Sequence, residues 1–112
     1  MLLRARKLIE DIREAAEAID EFTASLTLED YLRDRLIRAG VEREFLVIGE
    51  AVSQLVKADE ETASKLGDYR KIVDFRNILA HAYSMVSNKV VWGIVQNELP
   101  DLRKNAEGLL KK

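Results

Sequence analysis

Apolar residues recur at intervals of three and four through most of the chain, which is the spacing of one helical face. One series runs from Leu3 to about Ser25 and comprises Leu8, Ile9, Ile12, Ala15, Ala16, Ile19 and Phe22. Another comprises Val41, Phe45, Ile48, Val52 and Leu55. Each series predicts an amphipathic helix whose apolar face lies against a shared core.

The segment between these two series contains the signals of a helix start. Thr27 and Asp30 have the spacing of a capping box, which predicts that a helix begins near Leu28. We expect this helix to bend or restart at Gly40, because glycine is about 1 kcal/mol less favourable than alanine inside a helix. After the second apolar series, the polar stretch 58–68 predicts a connection with room for one helical turn.

Two further apolar series fill the rest of the chain. One begins at Tyr69 and leads directly into His81. The last spans residues 91–109, and a serine or asparagine at 87–88 is expected to cap it. Pro100 lacks a backbone donor and crowds the preceding turn, so it predicts a kink or restart within this last series.

The series together predict one all-α domain over residues 1–112. No segment shows the alternation that would predict a strand. The fold class is therefore an up-and-down four-helix bundle with room for one short additional helix. The 34% charged and 47% apolar residues fit a globular chain.

Composition also bears on the compartment. The chain has no cysteine, so it has neither disulfides nor a thiolate metal site, in agreement with a reducing cytoplasm. Charges interrupt the first apolar run, which predicts neither a signal peptide nor a membrane span. We expect a soluble cytoplasmic protein that does not bind a membrane.

Charge is distributed unevenly along the chain. Residues 1–68 carry a net charge of −6 and residues 69–112 a net charge of +4, which together give the formal net charge of −2. The basic half could receive an anionic partner. The simpler interpretation is that the two halves neutralise each other within one bundle or across a dimer.

The segment DFRNILAHAY, residues 74–83, concentrates the candidate chemistry and holds the only histidine of the chain, His81. On a helix, Arg76 and Tyr83 lie seven residues apart and are nearly eclipsed, while Asn77 and His81 lie four apart on an adjacent stripe. One polar face is therefore expected to carry all four side chains. The apolar residues of this helix are expected on its other side.

An arginine fork matches a phosphate, and an imidazole exchanges protons near neutral pH. Together they suffice in principle to cleave RNA without a metal. One histidine cannot easily perform both proton transfers, so a two-fold dimer that pairs two such helices is one hypothesis. The opposing interpretation is that His81 is a cap or surface group and that Arg76 pairs with an acid; the spacing alone leaves these alternatives open.

The same residues resemble the HEPN superfamily and, within it, the HepT-like toxins. Their motif R-x4-H-x-Y is matched by residues 76–83. Arg43 and the Gly-Glu-Ala triplet at 49–51 resemble the second core helix of the family. Trp92 and the Leu-Pro step at 99–100 resemble its closing helix, so the resemblance covers nearly the whole chain.

The resemblance implies a homodimer with the R-x4-H motifs of both subunits lining a cleft. It implies a metal-independent endoribonuclease, without a cofactor, that acts as a toxin beside an MntA-like nucleotidyltransferase antitoxin. Arg76 and His81 would be the catalytic pair, Asn77 a supporting residue and Tyr83 the tyrosine that the antitoxin modifies with AMP. Ala82 departs from the acidic residue that many relatives have there.

Other interpretations remain open from the sequence. The chain could be a non-catalytic HEPN dimer that binds a minimal nucleotidyltransferase or a nucleotide, or its polar stripe could be a dimer seam. Arg43 and Glu50 are interpreted first as members of ion pairs between helices or subunits. Gly49 is expected to allow two helices to approach closely.

Overall fold

The computed structural model describes residues 1–81 and 86–111 of the chain, and within them all regular structure is helical. Seven helices occur in these residues: α1 (Leu3–Thr23), α2 (Leu28–Arg33), α3 (Arg35–Ala58), α4 (Glu60–Ser64), α5 (Tyr69–His81), α6 (Asn88–Asn97) and α7 (Leu99–Leu110). The all-α fold class is thus confirmed. Three helices of the four-helix bundle are α1, α3 and α5, and the consecutive helices α6 and α7 together take the place of the fourth.

The long helices α1 and α3 form the centre of the bundle. They pack along each other, with α5 on the outer side of α3 and α7 against α1. The apolar series predicted for α3 is buried at every position, and that for α1 is buried except at Phe22, which is 36% exposed. Burial of these two faces supplies most of the apolar core.

The first helix start is confirmed, but the predicted restart at Gly40 is wrong. Thr27 and Asp30 form a complete capping box at the beginning of α2. The chain breaks instead at Asp34, whose side chain accepts a hydrogen bond of 3.0 Å from the backbone N–H of Ile37. Gly40 continues inside α3, where a Cβ would lie 3.2 Å from the ring of Phe22. Close helix packing therefore explains this glycine better than a turn does.

The later boundaries agree with the sequence. The connection at 58–68 contains one short helix, α4, which Asp59 caps by accepting from the backbone N–H of Thr62. Ser87 caps α6 by accepting from the backbone N–H of Lys89. Pro100 lies in the first turn of α7, where its missing N–H leaves no helical hydrogen bond unmade.

Ion pairs join the acidic and basic halves of the chain inside the bundle. Arg103 on α7 contacts Asp20 at 2.6 Å and Glu17 at 3.8 Å on α1. Arg76 on α5 contacts Glu50 on α3. The predicted neutralisation of one half by the other is confirmed for these pairs. Among the helices described, none has the length and apolarity to cross a membrane.

Candidate functional site

Helix α5, which carries the arginine and the histidine, is the least embedded of the main helices. Asp68 precedes it and accepts a hydrogen bond of 3.2 Å from the backbone N–H of Lys71, so the helix start is capped. None of its thirteen residues is buried. Its packing against α3 includes an edge-to-face contact between Phe45 and Phe75, with ring centroids 5.3 Å apart. Among the described residues, the helix packs mainly on α3, and Lys71 near its start also pairs with Glu98.

Gly49 of α3 lies directly against Arg76 of α5. A Cβ built on Gly49 would lie 2.1 Å from the Cβ and 2.3 Å from the Cγ of Arg76. Any side chain at position 49 would therefore displace the arginine stem or the whole helix. The expectation that Gly49 allows close helix approach is confirmed. This contact determines where the guanidinium of Arg76 emerges.

The guanidinium of Arg76 contacts two neighbouring side chains. Its Nη2 donates to Oε2 of Glu50 at 2.7 Å, and its Nη1 donates to Oδ1 of Asn77 at 2.9 Å. The side chain of Arg76 remains 30% exposed. Glu50 is thus the member of an interhelical ion pair, as interpreted from the sequence. The pairing of Arg76 with an acid is also observed, and it leaves the arginine open to solvent.

Glu50 is itself oriented by its neighbours. Its other carboxylate oxygen, Oε1, accepts from Nε2 of Gln54 one turn along α3 at 3.0 Å. Gln54 in turn accepts at its Oε1 from Nη2 of Arg4 on α1, at 2.9 Å. A continuous chain of side-chain hydrogen bonds therefore leads from α1 through α3 to Arg76 and Asn77.

The remaining candidate residues lie at the end of α5. Asn77 and His81 are both exposed and lie one helical turn apart. Arg76 lies instead on the flank that packs against α3, so the expected polar face is split into an exposed part and a half-buried part. Ile78 was expected on the apolar side but is 48% exposed. Tyr83 lies outside the described residues, as do the rest of positions 82–85.

A groove of about 500 Å³ opens beside Arg76, between α1, α3 and α5. Apolar and polar side chains both line it: Leu8, Asp11, Leu46, Val47, Glu50, Ala51, Gln54, Arg76 and Ala80. Among the described residues that line the groove, Arg76 carries the one cationic group. An anion that enters the groove would therefore meet Arg76 and be repelled by the carboxylates of Asp11 and Glu50.

The arrangement suits phosphate chemistry. A guanidinium has five N–H donors, so Arg76 can keep its contacts with Glu50 and Asn77 and still donate to a phosphate oxygen. An exposed imidazole on the same helix can exchange protons with a bound substrate. The sequence indicated an ion pair for Glu50 and an acidic partner for Arg76, but not that these two residues pair with each other across 26 positions of the chain. The small residue Gly49 beside Glu50 was the available signal.

The fold and this helix define a class: an all-α HEPN-like domain with an R-x4-H motif on one open helix. The family described as "Ribonuclease HepT-like" matches residues 12–109, which is most of the chain. The chain belongs to the HepT-like ribonuclease family.

Curated relatives agree with this assignment. "Probable ribonuclease HepT" of Thermococcus cleftensis is 36% identical over 103 residues, which cover 92% of this chain and 93% of the relative. "Putative RNase TTE0752" of Caldanaerobacter subterraneus subsp. tengcongensis is 30% identical over 96% of this chain and 95% of its own length. No solved structure gives a significant match to the chain.

Proposed function

We propose that the protein is a metal-independent endoribonuclease that cleaves RNA with Arg76 and His81. The proposal includes its role as the toxin of a HepT/MntA-type toxin–antitoxin pair. One observation carries it: in a chain of the HepT-like ribonuclease family, α5 presents a half-exposed arginine fork and an exposed imidazole on one open helix. Neither the guanidinium of Arg76 nor the imidazole of His81 is buried in the core.

The reaction needs two proton transfers and stabilisation of charge. The 2′-oxygen of RNA attacks the adjacent phosphorus, a P–O2′ bond forms, and the P–O5′ bond breaks. A base removes the proton from the 2′-OH, and an acid gives a proton to the departing 5′-oxygen. Arg76 stabilises the additional negative charge on the phosphorane by donating N–H groups to its oxygens. The products are a 2′,3′-cyclic phosphate and a 5′-OH.

His81 is assigned one of the two proton transfers, and the His81 of a second copy is assigned the other. This division requires a homodimer in which two α5 helices face each other. The open surface of α5 supports the proposal, because the helix has no buried residue and Ile78 is 48% exposed. Asn77 supports the site through its hydrogen bond with Arg76.

Neutralisation by the antitoxin is assigned to Tyr83, two residues after His81 in the sequence. An MntA-like nucleotidyltransferase would transfer AMP from ATP to the tyrosine hydroxyl and release pyrophosphate. The phosphate would be added seven residues after Arg76 in the sequence, where we expect it to compete with RNA for the guanidinium and repel the RNA backbone. Incubation with the nucleotidyltransferase and ATP should add the mass of AMP to the wild type and not to Tyr83→Phe, and equal labelling of both would exclude this residue.

Cleavage of RNA by the purified chain in EDTA is the direct test. Wild-type protein should yield 2′,3′-cyclic phosphate ends, and Arg76→Ala and His81→Ala should each abolish them while helicity by circular dichroism stays unchanged. Activity that survives both substitutions would come from a contaminating nuclease. No cleavage by the wild type, together with tight binding of the nucleotidyltransferase, would replace the proposal with a non-catalytic binding role.

The dimer is tested by mixing an inactive variant with the wild type. An excess of His81→Ala should lower the activity of the wild-type protein by more than dilution, because each mixed dimer keeps only one of the two His81 side chains that the shared site needs. Sedimentation of the same samples should show a dimer at micromolar concentration. A fully active monomer would contradict the shared site.

A further inference from the structure

Glu50 pairs with Arg76, one of the two proposed catalytic residues, and has no part in the R-x4-H motif. We infer that Glu50 is a positioning residue, which orients the guanidinium of Arg76 for phosphate binding and does not itself touch the reacting atoms. The inference rests on the proposed ribonuclease activity. It adds a residue on α3 to a site that the sequence locates on α5.

Hydrogen bonds to both carboxylate oxygens hold the side chain of Glu50 in place. Each carboxylate oxygen has its own partner, since Oε2 accepts from Arg76 and Oε1 accepts from Gln54. Gln54 is held in turn by Arg4 of α1. The carboxylate is therefore oriented from two sides, and it presents one defined lone-pair direction to the arginine.

Arg76 needs such support because its side chain is long and partly solvent-exposed. An unsupported arginine samples many rotamers, and ordering it as the reaction proceeds would raise the free energy of the transition state. Gly49 positions the stem of Arg76, and Glu50 with Asn77 positions its two terminal nitrogens. The guanidinium is thus pre-organised at both ends before RNA arrives.

The charge of Glu50 has an opposing effect that makes the inference testable. The side chain of Glu50 is 51% exposed and lines the groove, so its charge should repel the phosphate of bound RNA. Removing the charge should therefore tighten the binding of uncleaved RNA while the rate of the chemical step falls. Substitution of a residue that only stabilises the fold would not tighten RNA binding while slowing the chemical step.

Three substitutions at this position distinguish geometry from charge. Glu50→Ala removes both the charge and the acceptor. Glu50→Gln keeps an acceptor oxygen and loses the charge, whereas Glu50→Asp keeps the charge and withdraws it by one methylene. We expect kcat to fall by about tenfold or more in Glu50→Ala and Glu50→Asp, and by less in Glu50→Gln. A misplaced guanidinium of Arg76 would no longer contact the phosphate in the geometry that the reaction requires.

Binding is measured with an RNA that carries a 2′-deoxy residue at the cleavage position, which removes the nucleophile. The Kd should decrease by a factor of about two to five in Glu50→Gln and Glu50→Ala at low salt, and it should not decrease in Glu50→Asp. The difference should shrink at high ionic strength, because salt screens an exposed charge.

A matched control is available at the other end of α5. Lys71 of α5 forms an ion pair with Glu98, so Glu98→Gln also removes a carboxylate that anchors this helix. Its kcat and Kd should stay within about twofold of wild type, as expected for an exposed pair outside the hydrogen-bond chain that leads to Arg76. Circular dichroism and urea unfolding of all variants separate folding defects from catalytic ones.

The outcomes separate the two proposals. A cleaving wild type with Glu50→Ala within about twofold in kcat would overturn the role of Glu50 and leave the ribonuclease proposal intact. Equal losses in Glu50→Ala and Glu98→Gln would show that the pair only anchors α5. A wild type that does not cleave RNA refutes the proposed function, and the role of Glu50 with it.

Discussion

Gly49 and Arg76 pack so closely that a single methyl group at position 49 would overlap the arginine side chain, at 2.1 Å from its Cβ. The nearest atom of Arg76 is next to the backbone and cannot rotate away. The contact between α3 and α5 therefore depends on the absence of a side chain at one residue. It also sets the distance over which Glu50 reaches the guanidinium.

Gly49→Ala is expected to destabilise the protein by about 1–3 kcal/mol, because α5 must move outward. It should also lower RNA cleavage, since Arg76 would leave its position against Glu50. The control is Gly108→Ala in α7, where a Cβ meets nothing within 4 Å. That change should stabilise the protein by up to about 1 kcal/mol, as alanine is the better helix former. Urea unfolding of both variants gives the comparison, and equal effects would contradict the packing argument.

Arg76→Lys should reduce kcat/KM by about tenfold or more although the positive charge is kept. A lysine ammonium lacks the planar fork that contacts Glu50 and Asn77 together. It would therefore bind the phosphate as a point charge without a defined orientation. Cleavage assays at several salt concentrations measure this, and near wild-type activity would mean that charge alone is required.

Tyr31→Phe should leave stability unchanged or raise it by up to about 1 kcal/mol. Tyr31 is fully buried, its ring lies 5.2 Å from that of Trp92, and its hydroxyl has no hydrogen-bond partner within the part of the chain that the structure describes. Burial also raises the pKa of this hydroxyl to about 12, since the phenolate would be poorly solvated. Thermal unfolding of the variant tests this, and a clear loss of stability would reveal a polar partner for the hydroxyl.

The capping box of α2 should make the free energy of unfolding depend on pH in the acidic range. The backbone N–H and then the hydroxyl of Thr27 hold the pKa of Asp30 below its ordinary value of 3.8. Because the folded pKa is lower than the unfolded one, the stabilisation is present above 3.8 and is lost as pH falls through the folded pKa.

Asp30→Asn should therefore remove part of the decrease in the urea midpoint between about pH 5 and pH 2. Glu29→Gln is the control, because it removes an acidic charge from the same turn and leaves the capping box intact. An unchanged acid profile in Asp30→Asn would show that the cap does not contribute.

The sequence predicts the parts of this fold that depend on local rules. The capping residues Thr27 and Ser87 and the restart at Pro100 follow from hydrogen-bond donors and acceptors within a few residues. The buried positions of α3 follow from helical periodicity. The misassigned break at Gly40 shows the limit, because a glycine selected for packing against Phe22 has the same local signature as a glycine in a turn.

In the candidate site, too, some positions follow from local rules and others depend on tertiary packing. The positions of Asn77 and His81 on one exposed turn follow from their spacing of four. The turn of Arg76 toward α3 does not follow, since it depends on Gly49 and Glu50, which reach it only through the tertiary register of two helices. Periodicity also cannot foresee that Ile78 remains half exposed while its neighbours pack on α3.

None of the residues of α5 is buried, whereas α1 and α3 each have a buried face, so α5 should open locally at a lower free-energy cost than those two helices. Its backbone amides would then exchange with deuterium well before those of α1 and α3. Ribonuclease activity should be lost on heating before the far-ultraviolet signal of the bundle changes. A molecule that binds over α5 would slow this local opening. The slower amide exchange of α5 would reveal the bound molecule even when catalysis is blocked.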